Sequence, residues 1–465
     1  MSKPKVALLG LTLDFYERGG PEFRLGREAF VRQRLIPALA ESAEVSFDGA
    51  CFTREAVEKA VAGFEADGCD AICVVLLSYS PSLISAPALK RTHLPIVVWN
   101  TQELYAVDGG YDQQALMNNH GVHGTHDLCN VLNRADVPFH YVTSHVDDEG
   151  AADELADLFR AARAAARLRR SRLGLLGYPF PGMGDFGLDT THLATTLGCA
   201  WEALSVADYV RRCERADAKE VKRLVTEYRD AYDVAPGITA EDLAATARAE
   251  VALRGLVTDR RLDALTYQFL AFGEDERVET LPFVAMSRLM AEGIGFGGEG
   301  DLISAAGSAL LGWLQPPASF SEIFTIDFAG NAVLLSHMGE ANVAMRRRDG
   351  PCRLVKRERS LVPVRSSQLA LAAAFEPGPA TLMALTLTRY EQWRLIAAPM
   401  MIEDFGPLEQ LAVPHSKLAP AEDVRDFLTA YAAAGGPHHL AVCFGDARRR
   451  LEVLSEVLDI DYCEI

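Results

Sequence analysis

The opening third of the chain alternates short, unbroken apolar runs with longer amphipathic segments, and this alternation limits the fold more than any other feature. The apolar runs fall at 6–9, 45–47, 71–77, 95–99 and 139–142, while 26–40, 54–66, 113–132 and 149–169 carry helical spacing. Strands that read as continuous apolar runs are covered on both faces, as in a parallel sheet with helical crossovers. Ligands of such sheets sit beyond the carboxyl ends of the strands. Here those ends are the polar segments 11–16, 78–82 and 100–103.

A charged run at 167–172 closes this region, and a strand at 173–176 opens a second one. The glycine-rich turn 177–187 follows, then predicted helices at 207–215, 219–228, 240–258 and 282–292 around a strand at 264–267. After about residue 315 the texture changes to short runs at 323–328, 332–335, 361–364 and 381–387, separated by Gly, Pro and Asn turns. That pattern predicts antiparallel β structure. A helix at 421–434, a strand at 439–443, a helix at 448–457 and a strand at 460–463 end the chain. The predicted class is therefore α/β: two doubly wound parallel-sheet domains, 1–170 and 171–315, followed by a mainly antiparallel β domain, 316–465.

The formal net charge of −18 would repel a phosphate backbone. The basic runs 167–170, 346–348 and 448–450 are short and lack interleaved aromatics, so no nucleic-acid partner is expected. No stretch is long and apolar enough to cross a bilayer, which predicts no membrane partner. Met1-Ser2-Lys3-Pro4 runs straight into the first strand without an apolar leader or a small-residue cleavage site. The nine cysteines include no CxxC pair. Reduced thiols in the cytoplasm, with neither disulfides nor cysteine-held zinc, are expected.

Three segments carry candidate chemistry. Gly295-Phe296-Gly297-Gly298-Glu299-Gly300-Asp301 holds Glu299 in a glycine-rich turn ahead of a predicted helix, 302–314. By itself, an acidic residue there is equally read as favouring the helix dipole. Glu322 and His337 lie on two runs joined by Gly330-Asn331, a turn that can bring them together. Alone they read as a surface glutamate and a core histidine. Gly435-Gly436-Pro437-His438-His439 presents two adjacent histidines at the mouth of an apolar strand. In extended geometry they point to opposite faces, one toward a site and the other into packing or a supporting hydrogen bond. Two carboxylates with two imidazoles form a mixed donor set suited to Mn²⁺, Co²⁺ or Mg²⁺.

These motifs resemble the L-arabinose isomerase family and, more distantly, the L-fucose isomerases. The run from Leu281-Pro282 through Arg288-Leu289-Met290 to Gly298-Glu299-Gly300-Asp301 is similar, without a gap, to the family's LP…RLM…GFAGEGDW, with Leu302 in place of the tryptophan. Ser336-His337-Met338-Gly339 looks like its GAHM segment, and Gly435–His439 like its GGAHH. Asn118–Gly124 looks like its NLNQTAHGG, with His120 where glutamine is usual. Asn100-Thr101-Gln102 looks like its HTQ, and the match at 11–16 is poorest.

The resemblance implies a metal-dependent aldose–ketose isomerase acting on a pentose or related sugar through an enediol. It implies Glu299, Glu322, His337 and His439 as metal ligands, with Glu299 and Glu322 also the catalytic acid and base. Substrate contacts would come from His123, Met183, Phe272 and His438. Mn²⁺ is the first choice, Co²⁺ or Mg²⁺ also suit, no nucleotide is required, and the assembly is a homo-oligomer, trimer or hexamer. The departures cluster at the pocket wall, which leaves the sugar open while the chemistry stays. Two other classes compete: a metal-dependent epimerase, aldolase or lyase on a related sugar or sugar acid, and a non-catalytic sugar sensor built on the flavodoxin-like first unit. A dehydrogenase ranks low, because 177–187 lacks GxGxxG spacing.

Overall fold

A computed structural model describes residues 3–357 and 360–465, so Met1 and Ser2 of the N-terminal reading lie outside the described residues. The chain forms two compact units, one ending at Ala166 and the other spanning Arg167–Ile465.

In the first unit β1 (Lys5–Leu11), β2 (Glu44–Ser46), β3 (Ala71–Leu76), β4 (Ile96–Asn100) and β5 (His140–Thr143) form one sheet in the order β2-β1-β3-β4-β5. All neighbours are parallel. Every residue of β3 is buried, which is why its sequence shows no polar alternation. Helix α1 (Arg54–Ala66) starts where the Thr53 hydroxyl accepts the Ala56 N–H, and it buries Val57, Val61 and Phe64 in the sheet core. The helix expected over 113–132 is broken: Gln113–Asn118 is separate from α2 (Val122–Arg134). The break falls at Asn119, whose φ of −126° and ψ of 26° leave the helical region, and Gly121 opens the next helix where a Cβ would lie 2.3 Å from the Leu76 carbonyl oxygen. The chain must cross the end of β3 at that point before it can resume a helix.

The second unit begins with a parallel sheet in the order β10-β9-β6-β7, built from β6 (Arg172–Leu176), β7 (Ala200–Leu204), β9 (Ala264–Tyr267) and β10 (Gly295–Gly297). β8 (Asp233–Val234) instead joins β13 (Arg353–Lys356) and β14 (Leu369–Ala372) in a small separate sheet. Helix α3 (Ala240–Arg260) opens with a capping box in which Thr239 and Asp242 satisfy each other's backbone N–H. Helix α4 (Leu302–Leu314) is apolar nearly all round, and it packs against both β10 and the strands that follow it.

Those strands close into a barrel. β11 (Ala318–Asp327), β12 (Ala332–Ser336), β15 (Gly378–Leu387), β16 (Trp393–Ile402), β17 (His415–Pro420) and β18 (His439–Phe444) run antiparallel in the order β15-β18-β11-β12-β17-β16, and β16 pairs back onto β15. β19 (Asp461–Glu464) adds to β16 in parallel. The change of texture expected at 315 thus falls inside the second unit, where Phe296 on β10 meets Phe320 on β11 edge-on at 5.1 Å. The strand expected at 361–364 is absent. Val362 is buried in the core beside β9, and Leu361 and Val364 pack against it without pairing, so that run is apolar for packing alone.

Candidate metal centre

The centre is assembled at three chain ends that meet. The first is the turn between β10 and α4. Gly297 ends the strand, the Asp301 N–H returns to the Gly298 carbonyl at 2.9 Å, and Glu299 sits in the left-handed region at φ 59°. Such a conformation is uncommon for a residue with a Cβ and persists only where its surroundings fix it. Here the Glu299 carbonyl accepts the Phe180 N–H at 2.9 Å. Gly298 is required by proximity: a Cβ would lie 3.0 Å from His337 Nε2 and 3.1 Å from His439 Nε2.

The second and third ends belong to the barrel. Glu322 on β11 stands in register with Ser336 on β12 on one side and with His439 on β18 on the other. Directly opposed residues share a face, and His337 follows Ser336 where β12 ends. The sheet register alone therefore delivers Glu322, His337 and His439 to one end of the barrel.

His439 Nε2 lies 3.0 Å from Glu322 Oε1 and 3.7 Å from Glu299 Oε2. His337 Nε2 is 3.8 Å from Glu322 Oε1. Glu299, Glu322, His438 and His439 each offer one donor atom within 4.8 Å of all the others. That group holds Glu299, Glu322 and His439 of the expected set with His438 as its fourth member, while His337 adjoins it through Glu322. Glu299 Oε2, His337 Nε2 and His439 Nε2 are all buried without a hydrogen-bond partner. Buried polar atoms are normally paired. Three unpaired donors, one of them a carboxylate oxygen, beside the Glu322 carboxylate fit a divalent cation.

The supporting groups are as ordered as the donors. Asp301 Oδ1 caps α4 through the Ile303 and Ser304 N–H groups, and its Oδ2 takes His439 Nδ1 at 2.9 Å. Glu340 takes His337 Nδ1 at 2.6 Å and the Tyr267 hydroxyl as well. Each imidazole therefore turns its Nε2 inward, as a carboxylate behind a metal-binding histidine does. Phe320 lies edge-on to both rings, 4.8 Å from His337 and 5.0 Å from His439.

Burial pulls the His439 imidazole down, but Asp301 and Glu322 outweigh it and carry it up to about 9. Burial likewise pulls on His337, and Glu340 lifts it above its ordinary value. Burial raises the Glu322 carboxyl, yet the His439 imidazole close beside it and the charges of His337 and His438 leave it below the usual carboxylate range.

His438 corrects an expectation. It does not point away from His439, because β18 begins only at His439 and nothing forces alternation before it. The two rings lie 4.0 Å apart, and His438 Nε2 is 3.8 Å from Glu299 and 3.9 Å from Glu322. Phe272, expected at the substrate, is fully enclosed, edge-on to Tyr209 and Tyr267, and packs the core behind Glu340. Met183 is half-buried in the loop whose Phe180 bonds Glu299. His123 belongs to the first unit, exposed on α2 and stacked on Tyr79 at 4.9 Å. Asp185, Phe186, Tyr267, Phe320 and Glu340 were not singled out from sequence, and Asp301 was quoted without a role. The signal for Asp301 and Glu340 was nearness to Glu299 and His337, whereas Asp185 meets His438 only across 253 residues.

Three family models match successive stretches: the N-terminal domain of fucose/sulfoquinovose isomerase over residues 28–169, and the L-arabinose isomerase central and C-terminal domains over 188–314 and 317–461. An L-arabinose isomerase of Nocardioides sp. is 30 % identical over 414 residues, 84 % of this chain and 79 % of that one. The chain belongs to the L-arabinose isomerase family. The L-arabinose isomerase of Acidothermus cellulolyticus is 28 % identical over 85 % of this chain and 80 % of its own, and that of Geobacillus kaustophilus 25 % identical over 84 % and 80 %. As a member of the L-arabinose isomerase family the protein is a sugar isomerase, and the sensor reading is set aside. Among the described residues no helix is long and apolar enough to cross a membrane.

Proposed function

We propose that the protein is a divalent-metal-dependent aldose–ketose isomerase that works on a pentose or related sugar through an enediol. The observation that carries this reading is the closeness of Glu299, Glu322 and His439 in one donor group, with His337 Nε2 3.8 Å from Glu322 and three buried donor atoms unpartnered. Those four residues would hold the ion, with Mn²⁺ the first choice and Co²⁺ or Mg²⁺ alternatives. When bound, the ion supplies Lewis-acid stabilisation of the negative charge that develops on the sugar oxygens.

The chain's own residues handle the proton. Glu322, held below the usual carboxylate range, is ionised at neutral pH and ready to accept it. Glu299 and Glu322 share the transfer, one removing the proton at one carbon and the other donating at the neighbouring carbon or oxygen. Asp301 and Glu340 hold the two imidazoles in orientation. Met183 and His438 face the sugar, and His123 of a neighbouring subunit hydrogen-bonds its distal end. The working enzyme is a homo-oligomer, trimer or hexamer, in the cytoplasm. Asn100 and His120 differ from the family pattern, so the sugar is left open among pentoses and their relatives.

Incubation of the Mn²⁺-loaded protein with a panel of aldoses in D₂O tests the reading. Ketose should form from at least one aldose, carrying deuterium at C1, with deuterium at C2 of the aldose re-formed from it and turnover stopping on chelation. Deuterium uptake with a C2 epimer and no ketose would make the protein an epimerase instead.

A further inference from the structure

The loop between β6 and the helix Thr190–Thr196 is anchored to the candidate centre at three points. The Phe180 N–H bonds the Glu299 carbonyl, and Phe186 stacks on the His439 ring at 5.5 Å and 7°. Between them Asp185 takes hold of His438. One oxygen, Oδ2, accepts both the His438 backbone N–H at 3.0 Å and Nδ1 at 2.5 Å. A carboxylate can only accept, so Nδ1 carries the hydrogen and the ring's orientation is set. Nε2 is thereby aimed at the Glu299 and Glu322 carboxylates. Unlike His337 and His439, which are sealed from solvent, the His438 side chain is 38 % exposed. It is the imidazole of the cluster that an incoming ligand can touch.

We infer that Asp185 is a positioning residue of this enzyme: it locks His438 with Nε2 turned into the centre, so that the imidazole meets a hydroxyl oxygen of the bound polyol. The inference rests on the isomerase reading for its substrate and on the loop geometry for its mechanism. Asp185 itself stays behind the ring and never meets the sugar. It differs from Asp301 and Glu340 in the histidine it serves, because His438 stands on the rim and those two serve buried rings. In Asp185→Asn an amide oxygen remains for the His438 backbone N–H, while the charge that fixes the His438 ring is gone.

A double-mutant cycle of Asp185→Asn, His438→Asn and the pair in the full-length protein tests this, with Asp185→Glu as the conservative control. With Mn²⁺ and the best aldose of the panel, Asp185→Asn should lower kcat/KM about 10- to 100-fold, the size of loss seen for supporting hydrogen bonds. Mn²⁺ affinity by calorimetry should stay within about threefold of wild type in Asp185→Asn. The pair should be no worse than His438→Asn alone, since one residue acts through the other. Asp185→Glu should restore part of the activity. Additive losses, full activity in Asp185→Asn, or a parallel fall in Mn²⁺ affinity would each overturn the inference. ¹⁵N-histidine spectra separate this from the isomerase reading. His438 should be protonated at Nδ1 in wild type and lose that preference in Asp185→Asn, whether or not any aldose turns over. An unchanged His438 signal would sink the role of Asp185, whereas absent turnover with the expected signal would sink only the isomerase reading.

Discussion

Gly298 and Asp301 decide the centre at the level of single atoms. The Gly298 Cα faces two imidazole nitrogens, and an added methyl would lie 3.0 and 3.1 Å from them, tighter than ordinary van der Waals contact. Gly298→Ala should leave the fold intact and lower Mn²⁺ affinity on the order of 100-fold, as loss of a close supporting contact does; calorimetry beside a thermal melt checks it. Asp301 divides its two oxygens between a helix cap and His439. Asparagine caps a helix about as well as aspartate, so Asp301→Asn should keep the melting temperature nearly unchanged. The same substitution removes the charge behind His439, and Mn²⁺ affinity should fall about 10- to 100-fold. Equal losses of stability and affinity would mean that Asp301 serves the helix alone. The turn holding Glu299 and Asp301 could be read from its glycines, and so could the hairpin between Glu322 and His337. The partners of the histidines could not, because His439 meets Asp301 across 138 residues and His438 meets Asp185 across 253. Pairings of that range are set by sheet order, which no local pattern records.

At the scale of elements, helix α3 has a foundation that titrates. Burial raises the Asp242 carboxyl, but the backbone N–H groups of Thr239 and Ser367 outweigh it and bring it down to about 2. A carboxyl held lower in the folded chain than its ordinary 3.8 adds stability above that value and loses it as pH falls toward 2. The gain at neutral pH is about 2 kcal/mol by the usual conversion of a pKa difference. Asp242→Ala should therefore lower unfolding stability by about 2 kcal/mol at pH 7, and the gap from wild type should narrow below pH 4. Urea melts across that range measure it, and a gap that does not change with pH would contradict the assignment. Element boundaries were legible where the hydrophobic period was clean, as in α1 and β3. They failed where tertiary contact overrode local preference. The helix breaks at Asn119 and resumes at Gly121 against the Leu76 carbonyl, and Val362 is apolar because it joins the core of Leu265 and Tyr267 on β9. The small strands β13 and β14 gave no pattern distinct from loop.

For the whole molecule, every proposed ligand lies in the second unit, on the turn before α4 and at one end of a closed six-stranded barrel. Parallel sheet, antiparallel β region and family membership were all foreshadowed by the alternation of runs and by the Gly298-Glu299-Gly300-Asp301 turn. The closure of the barrel was not, because β16 and β17 were missed from sequence and the ring depends on β16 pairing with both β15 and β17. Calorimetric titration of the metal-free, full-length protein with Mn²⁺, beside Glu322→Gln, tests the central claim most directly. One tight site per chain in wild type, lost in Glu322→Gln, is the predicted result. No saturable binding, or binding that Glu322→Gln leaves unchanged, would contradict it.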